Sequence, residues 1–483
     1  MDLSSLPFLF LFLPIFLLIY WPAQKTIRLV IITVANLVFL TWGQITALYW
    51  LLAIVLTTYT SGRIIAFQKE KNPRYRTWLW ITILFNIALL TFYKLNSAYG
   101  SFIFPKAGLP QGWALALSGL VVPLGLSYVT FQSISYVIDV SKGTIPEETN
   151  FINLAAFLLF FPKLLSGPLM RYKAFAPQIN SLDPSVDDIS GGIRRLLIGF
   201  IKRILIANQL GLVVNAAFGL PTANFAPGIA WLVLVAYTLQ IYFDFAGYTD
   251  MALGLGSMIG VKLPENFNNP YIAESVSDFW RRWHISLTAW FREYVFYPLE
   301  RHRFRWYGQQ INIVLVFILT GLWHGFKPHF LVWGFLHGLA LAIESLGFGR
   351  TLRTVWRPLR HFYTLMIVMV GWILFRSENL RFAMSFFRRL TGDVSGITFV
   401  PFSQSKPLPF IEPSFILALG VGILFSLPLH QAWKNFRIRI ENGNSSFFWG
   451  LQLTEDLFWV LLFVLGLAVL LSSGFLPNIY AEF

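Results

Sequence analysis

The chain has 483 residues, no cysteine and a formal charge of +14; 56% of it is hydrophobic, 17% aromatic and only 12% charged. A soluble globular chain is about a quarter charged, so there is too little polar surface here to coat a water-soluble body. That excludes a cytosolic enzyme and a disordered basic nucleic-acid binder, and the missing cysteines exclude disulfides, thiol nucleophiles and thiolate metal sites.

A helix crossing about 30 Å of hydrocarbon at 1.5 Å per residue needs roughly 20 mainly apolar residues. In chain order, segments 3–21, 27–43, 45–61, 78–94, 115–138, 151–166, 192–219, 229–260, 309–324, 329–346, 361–375, 413–430 and 455–473 meet or approach that condition. Several are short or interrupted, so the expected fold is an all-α polytopic membrane protein with about 11 spans plus re-entrant or interfacial helices. The N-terminal MDLSS has no basic flank and no A-x-A site follows, so the first segment reads as a retained span.

Lysine and arginine orient the spans. The first link carries Lys25 and Arg28, and the third carries Arg63, Lys69, Lys71, Arg74 and Arg76, whereas 95–114 has only Lys106. Links one and three are expected in the cytoplasm and the N-terminus outside. Basic loops sit well against anionic lipid, and charge scattered over short loops does not make a nucleic-acid stripe. No repeat or linker divides the sequence, so one membrane domain spanning 1–483 is expected.

Polar residues inside apolar runs mark function or internal pairing. They concentrate between Tyr237 and Glu344. YTLQIYFDFAGYTDMALGLG (237–256) places Asp244 and Asp250 in a greasy run, and the polar turn LPENFNNPY (263–271) follows. SVSDFWRRWHISLTAWFREYVFYPL (275–299) then begins with Ser275 three residues before Asp278, close to a capping box. Read as one helix, it puts Trp280, Trp283, Leu287, Trp290 and Phe291 on one face. Asp278, Arg281, Arg282 and Arg292 lie on the other, with His284 at the boundary. Asp278 and Arg282 have the spacing of an ion pair. An aromatic-belt helix without chemistry has the same pattern.

His324 ends the run INIVLVFILTGLWHG (311–325), about 20 Å along a helix from Ile311. A neutral imidazole at such depth is the form that accepts a proton from a hydroxyl. Gly321 and Gly325 flank it as G-x-x-x-G, as Gly334 and Gly338 flank His337, so close helix packing explains both stretches equally well. No G-x-S-x-G elbow, P-loop or H-E-x-x-H motif occurs. The spacings of His324, His329 and His337 cross a Lys-Pro break and argue against a metal site.

These motifs in this order resemble the membrane-bound O-acyltransferase family, in the bacterial branch of alginate O-acetyltransferases and teichoic-acid D-alanyl transfer proteins. VPLGLSYVTFQSISYVIDV (122–140), FFPKLLSGPLMRY (160–172), the block just described, GLWHGFKPHFLVWGFLHG (321–338), GWILFRSENL (371–380) and the terminal PNIYAEF carry the likeness. It implies a helical ring around a central funnel, with a catalytic core at about 115–346. His324 in GLWHG matches the family's catalytic histidine, and His284 in RRWHIS its second motif histidine. Substrate contacts are implied for Asp278, Trp280, Arg281, Arg282, Trp323 and Asn268. After Tyr297-Pro298-Leu299, Glu300-Arg301-His302-Arg303 departs from the Gly-Gly-Asn-Arg-like stretch expected of the alginate side.

The resemblance implies acyl transfer in a bacterial inner membrane, with no tightly bound cofactor. The donor is an acyl thioester, acetyl-CoA or an acyl carrier, on the cytoplasmic face. His324 would serve as general base, while His284 orients substrate or steadies the tetrahedral oxyanion. Expected partners are membrane lipid, an extracytoplasmic esterase-like acetyltransferase, and a polysaccharide acceptor reached directly or through it; nucleic acid is not one. The rivals are D-alanyl transfer to teichoic acid from a phosphopantetheine carrier protein, and a proton-coupled transporter or flippase using Asp244 and His324.

Overall fold

The computed structural model describes residues 1–42, 44–70, 72–106, 110–220, 225–303, 306–396, 411–443 and 445–473. Lys71 and the terminal PNIYAEF lie outside them. Among the described residues the regular elements are all helical. Seven helices are long and apolar enough to cross a membrane: Ile45–Gln68, Tyr75–Lys106, Val186–Phe218, Pro227–Ile259, Pro328–Thr354, Arg357–Arg376 and Phe447–Ser472. Phe8–Tyr20, Phe151–Lys163 and Pro413–Phe425 are shorter apolar helices.

Among the described residues two compact units divide the chain: Met1–Leu196 with Tyr248–Glu265, and Leu197–Gly247 with those from Asn266 onward. In the first unit, the apolar segment expected at 115–138 is broken into Gln111–Ser118 and Leu126–Lys142. Pro123 cannot donate a helical hydrogen bond, and Gly125 adopts φ +77°, a left-handed conformation that costs glycine little. Polar side chains tie three helices together there. Thr58 Oγ1 and Ser133 Oγ are 2.5 Å apart, and Asn86 Nδ2 donates to Ser133 Oγ across 3.2 Å. Phe151–Leu158 is followed by a tight turn at Phe161–Lys163 and an irregular strand of chain that stays buried to Met170. Irregular backbone inside a membrane protein survives only when protein encloses it. Lys163 is fully buried in this turn, donates to Gln132, and sits 4.0 Å from the Phe157 ring centroid.

The same unit joins the first basic link to the short connection between helices Tyr172–Ile179 and Val186–Ile201. Lys25 Nζ lies 2.6 Å from Asp183, and Arg28 donates to the Leu182 carbonyl and to Asp183. Arg195 forks between Asp250 at 3.0 Å and Glu265 at 2.6 Å.

In the second unit, helices Gly308–His324 and Pro328–Ile343 form a tight hairpin. A Cβ at Gly321 would collide with the Phe330 carbonyl, and one at Gly334 with the Phe317 carbonyl. The small-residue spacing read from the sequence is therefore used for close approach, on the same helices that carry His324 and His337. Asp244 is buried in Pro227–Ile259 and paired with Arg203, Nε to Oδ1 at 2.9 Å.

Candidate active site

The 275–299 piece is not one helix. Ser275 caps Val276–Arg282 by accepting from the Asp278 N–H at 3.0 Å, as its spacing in the sequence indicates, but the helix ends at Trp283. His284 turns left-handed with φ +44°, and a second helix runs Ile285–Phe291. Among the described non-glycine residues only Asn269 and His284 have positive φ. A β-carbon in that region is costly, and surrounding bonds must hold it there.

Those bonds come from the 263–271 turn. The Ile285 N–H donates to the Asn266 carbonyl and the Asn268 N–H to the Arg282 carbonyl, each across 3.0 Å. The Asn266 side chain, fully buried, adds three contacts through Oδ1: Ser286 N at 3.1 Å, Ser286 Oγ at 2.9 Å and His284 Nδ1 at 3.1 Å. His284 is itself buried, with Phe245 edge-on to its ring at 4.7 Å. It lies outside the long spans, and burial lowers its pKa to about 3, so the imidazole is neutral.

His324 closes the helix Gly308–His324 and is 5% exposed. Aromatic rings box it in. Trp323 has its centroid at 4.4 Å, Phe375 at 4.8 Å and Trp333 at 5.2 Å, the last two edge-to-face. A chain of ring contacts connects the two histidines through Phe245, Trp283, Trp372 and Phe375. Aromatic pairs prefer offset and edge-on geometries, so both imidazoles belong to one continuous aromatic packing.

The remaining candidate residues fall into two groups. Trp280 is buried against Phe317, Trp333 and His337 and lines a cavity of about 320 Å³. Leu287, Phe291, Arg292, Gln309 and Thr320 also line that cavity; His324, one helical turn beyond Thr320, does not. Asp278, by contrast, is engaged by Arg281 at 3.2 Å and Arg282 at 2.9 Å, and Arg282 also reaches the Asn268 carbonyl at 3.2 Å. These groups bond one another at the start of the motif, and the Arg281 side chain is 67% exposed. Lys327 precedes the helix that starts at Pro328.

Two supporting residues do not stand out in the sequence. Asn266 lies in LPENFNNPY two positions before Asn268, the candidate chosen from that turn. Glu344 ends the apolar run at 329–346. Its carboxylate accepts from Val276 N at 2.7 Å, Ser277 N at 2.9 Å and Ser277 Oγ at 2.6 Å, which fixes the start of the helix leading to His284. A lone acid at the end of a greasy segment is the only signal of that role.

Among the described residues, a helical membrane chain with four buried histidines packed among aromatic rings, His284 and His324 in the motifs singled out from the sequence, has the parts of a membrane-embedded transferase. The family model for MBOAT, the membrane-bound O-acyltransferase family, matches residues 16–387, and the chain belongs to that family and is an O-acyltransferase. The probable alginate O-acetylase AlgI of Pseudomonas aeruginosa is 38% identical over 392 residues, covering 79% of this chain and 73% of that protein. The peptidoglycan O-acetyltransferase of Helicobacter pylori is 30% identical, covering 82% and 81%. The teichoic acid D-alanyltransferase of Bacillus subtilis is 31% identical over 264 residues, covering 52% and 66%.

Proposed function

We propose that this protein moves an acetyl group from a thioester donor at the cytoplasmic face to a hydroxyl of an extracytoplasmic envelope polysaccharide. Acetyl-CoA or an acyl carrier is the donor, and the acetyl group reaches the polymer directly or through an esterase-like partner outside. The observation that carries the reading is His324, buried at the C-terminal end of its helix within a chain 38% identical to a probable alginate O-acetylase.

In this mechanism the acceptor oxygen attacks the thioester carbonyl while His324 takes the hydroxyl proton. The tetrahedral intermediate collapses, the C–S bond breaks, and the imidazolium returns its proton to the leaving thiolate. General-base assistance of this kind contributes roughly 10²- to 10⁴-fold in rate. His284 orients the reacting group. The bacterial inner membrane is the proposed location, with the N-terminus outside. The Lys and Arg of the first and third links support that orientation, and the bonds of Lys25 and Arg28 to Leu182 and Asp183 keep that segment on the same side as the first link.

Mass spectrometry of envelope polysaccharides from cells with and without the gene tests the reaction, with isotope-labelled acetate supplied in growth. Loss of a labelled acetyl ester on deletion supports it. Loss of an alanyl ester instead selects D-alanyl transfer, the second reading, which rests on the match to the B. subtilis enzyme.

A further inference from the structure

The amide of Asn266 determines which nitrogen of His284 is free. A backbone N–H can only donate, and the Ser286 N–H points at the Asn266 side-chain atom 3.1 Å away. That atom must therefore be the carbonyl oxygen, whichever way the amide would otherwise turn. The same oxygen is 3.1 Å from His284 Nδ1, so Nδ1 must carry the hydrogen and donate. In a neutral imidazole one nitrogen is protonated and the other is not, which leaves Nε2 as a bare lone pair. His284 Nε2 is buried and has no hydrogen-bond partner among the described residues.

We propose that Asn266 is a positioning residue that locks His284 in the Nδ1–H tautomer and presents Nε2 as a hydrogen-bond acceptor. Its ligand is then a group with a hydrogen to donate, an alcohol hydroxyl of the acceptor being the class that fits acyl transfer. The inference rests on the acyltransferase reading and narrows it. Of the two roles considered for His284, orienting a substrate hydroxyl is open to it. Donating to a tetrahedral oxyanion is not, because its single N–H is already used by Asn266. Four further observations make the lock specific. Asn266 is fully buried, its carbonyl also holds the Ile285 N–H, Ser286 Oγ adds a second fixed donor to Oδ1, and His284 is held in the left-handed region beside it. An amide oxygen gripped by three groups from the segment His284–Ser286 has little freedom to turn.

Nitrogen-15 NMR on wild-type protein labelled at histidine reads the tautomer directly, the His284 signals being identified by their loss in His284→Gln. The expected result is a protonated δ nitrogen and an unprotonated ε nitrogen; an ε-protonated ring overturns the proposal. In cells, Asn266→Ala is expected to give a mixed or reversed tautomer signal and to lower polymer-bound acetyl at least tenfold. Asn266→Asp, whose carboxylate still accepts from Nδ1–H, restores most of the acetyl. If both variants lose acetyl equally and the tautomer signal stays unchanged, Asn266 is structural only and the proposal is wrong. Failure of the underlying reading is separately visible, since a protein that keeps full acetylation as His324→Ala would contradict the acyltransfer mechanism without altering the His284 spectrum.

Discussion

Arg203 and Asp244 form an ion pair of 2.9 Å with side chains only 1% and 4% exposed. Asp244 is the residue that makes a proton-coupled transporter conceivable from the sequence. A carboxylate held by a buried guanidinium is a poor carrier of protons, because protonating it strands the arginine charge. The pair reads as a fastener inside the second unit.

Breaking it is therefore expected to harm folding more than chemistry. Arg203→Ala or Asp244→Ala leaves an uncompensated buried charge, at a cost of about 3–5 kcal/mol. Replacing both with apolar residues of similar volume is expected to cost less than either single change. Thermal unfolding of detergent-solubilised protein checks the order. Single variants as stable as wild type would show that the pair is not a fastener.

Glu344 tests whether the start of the Val276–Arg282 helix matters to the site. Glu344→Ala removes the acceptor of two backbone N–H groups, each about 1–3 kcal/mol to leave unsatisfied when buried. Glu344→Gln keeps one oxygen and is expected to be milder. Both are read as melting temperature and polymer acetylation, which should fall together, further for Ala than for Gln.

The helix hairpin offers a steric test. Gly334→Ala drives a methyl into the Phe317 carbonyl, so it should lower both stability and acetylation, whereas Gly112→Ala, with nothing within 4 Å of the new carbon, should not. A Gly334→Ala protein with wild-type melting and activity would mean that the hairpin yields easily.

Arg281 separates donor binding from surface decoration. Its side chain is 67% exposed and its ion pair with Asp278 is worth at most about 1 kcal/mol. Arg281→Gln should leave the melting temperature unchanged. If Arg281 contacts a phosphorylated donor, acetylation will fall and recover when the donor supply is raised; if it is decoration, acetylation will not change.

Much of the architecture is legible in the amino-acid order. The apolar runs mark the spans, and Ser275 and Asp278 mark the cap and the ion pair at the motif's start. The small residues around His324 and His337 mark the hairpin. The break at His284 is not legible, because an apolar face at 100° per residue continues smoothly through Trp283, Leu287, Trp290 and Phe291. Only hydrogen bonds from the distant 263–271 turn force the left-handed kink. Asn266 escapes notice for the same reason: its importance lies in partners 18 and 20 residues away. The division at 119–125 is the opposite case, where Pro123 and Gly125 are visible but the apolar run around them outweighs the signal.

A base at His324 is tested most directly by polymer-bound acetyl in gene-deleted cells complemented with His324→Ala. Membrane-fraction immunoblotting and detergent melting confirm that the variant is inserted and folded. The expected result is an inserted, stable protein and no acetyl ester above the deletion background. Acetylation at the wild-type level from that variant would contradict the account.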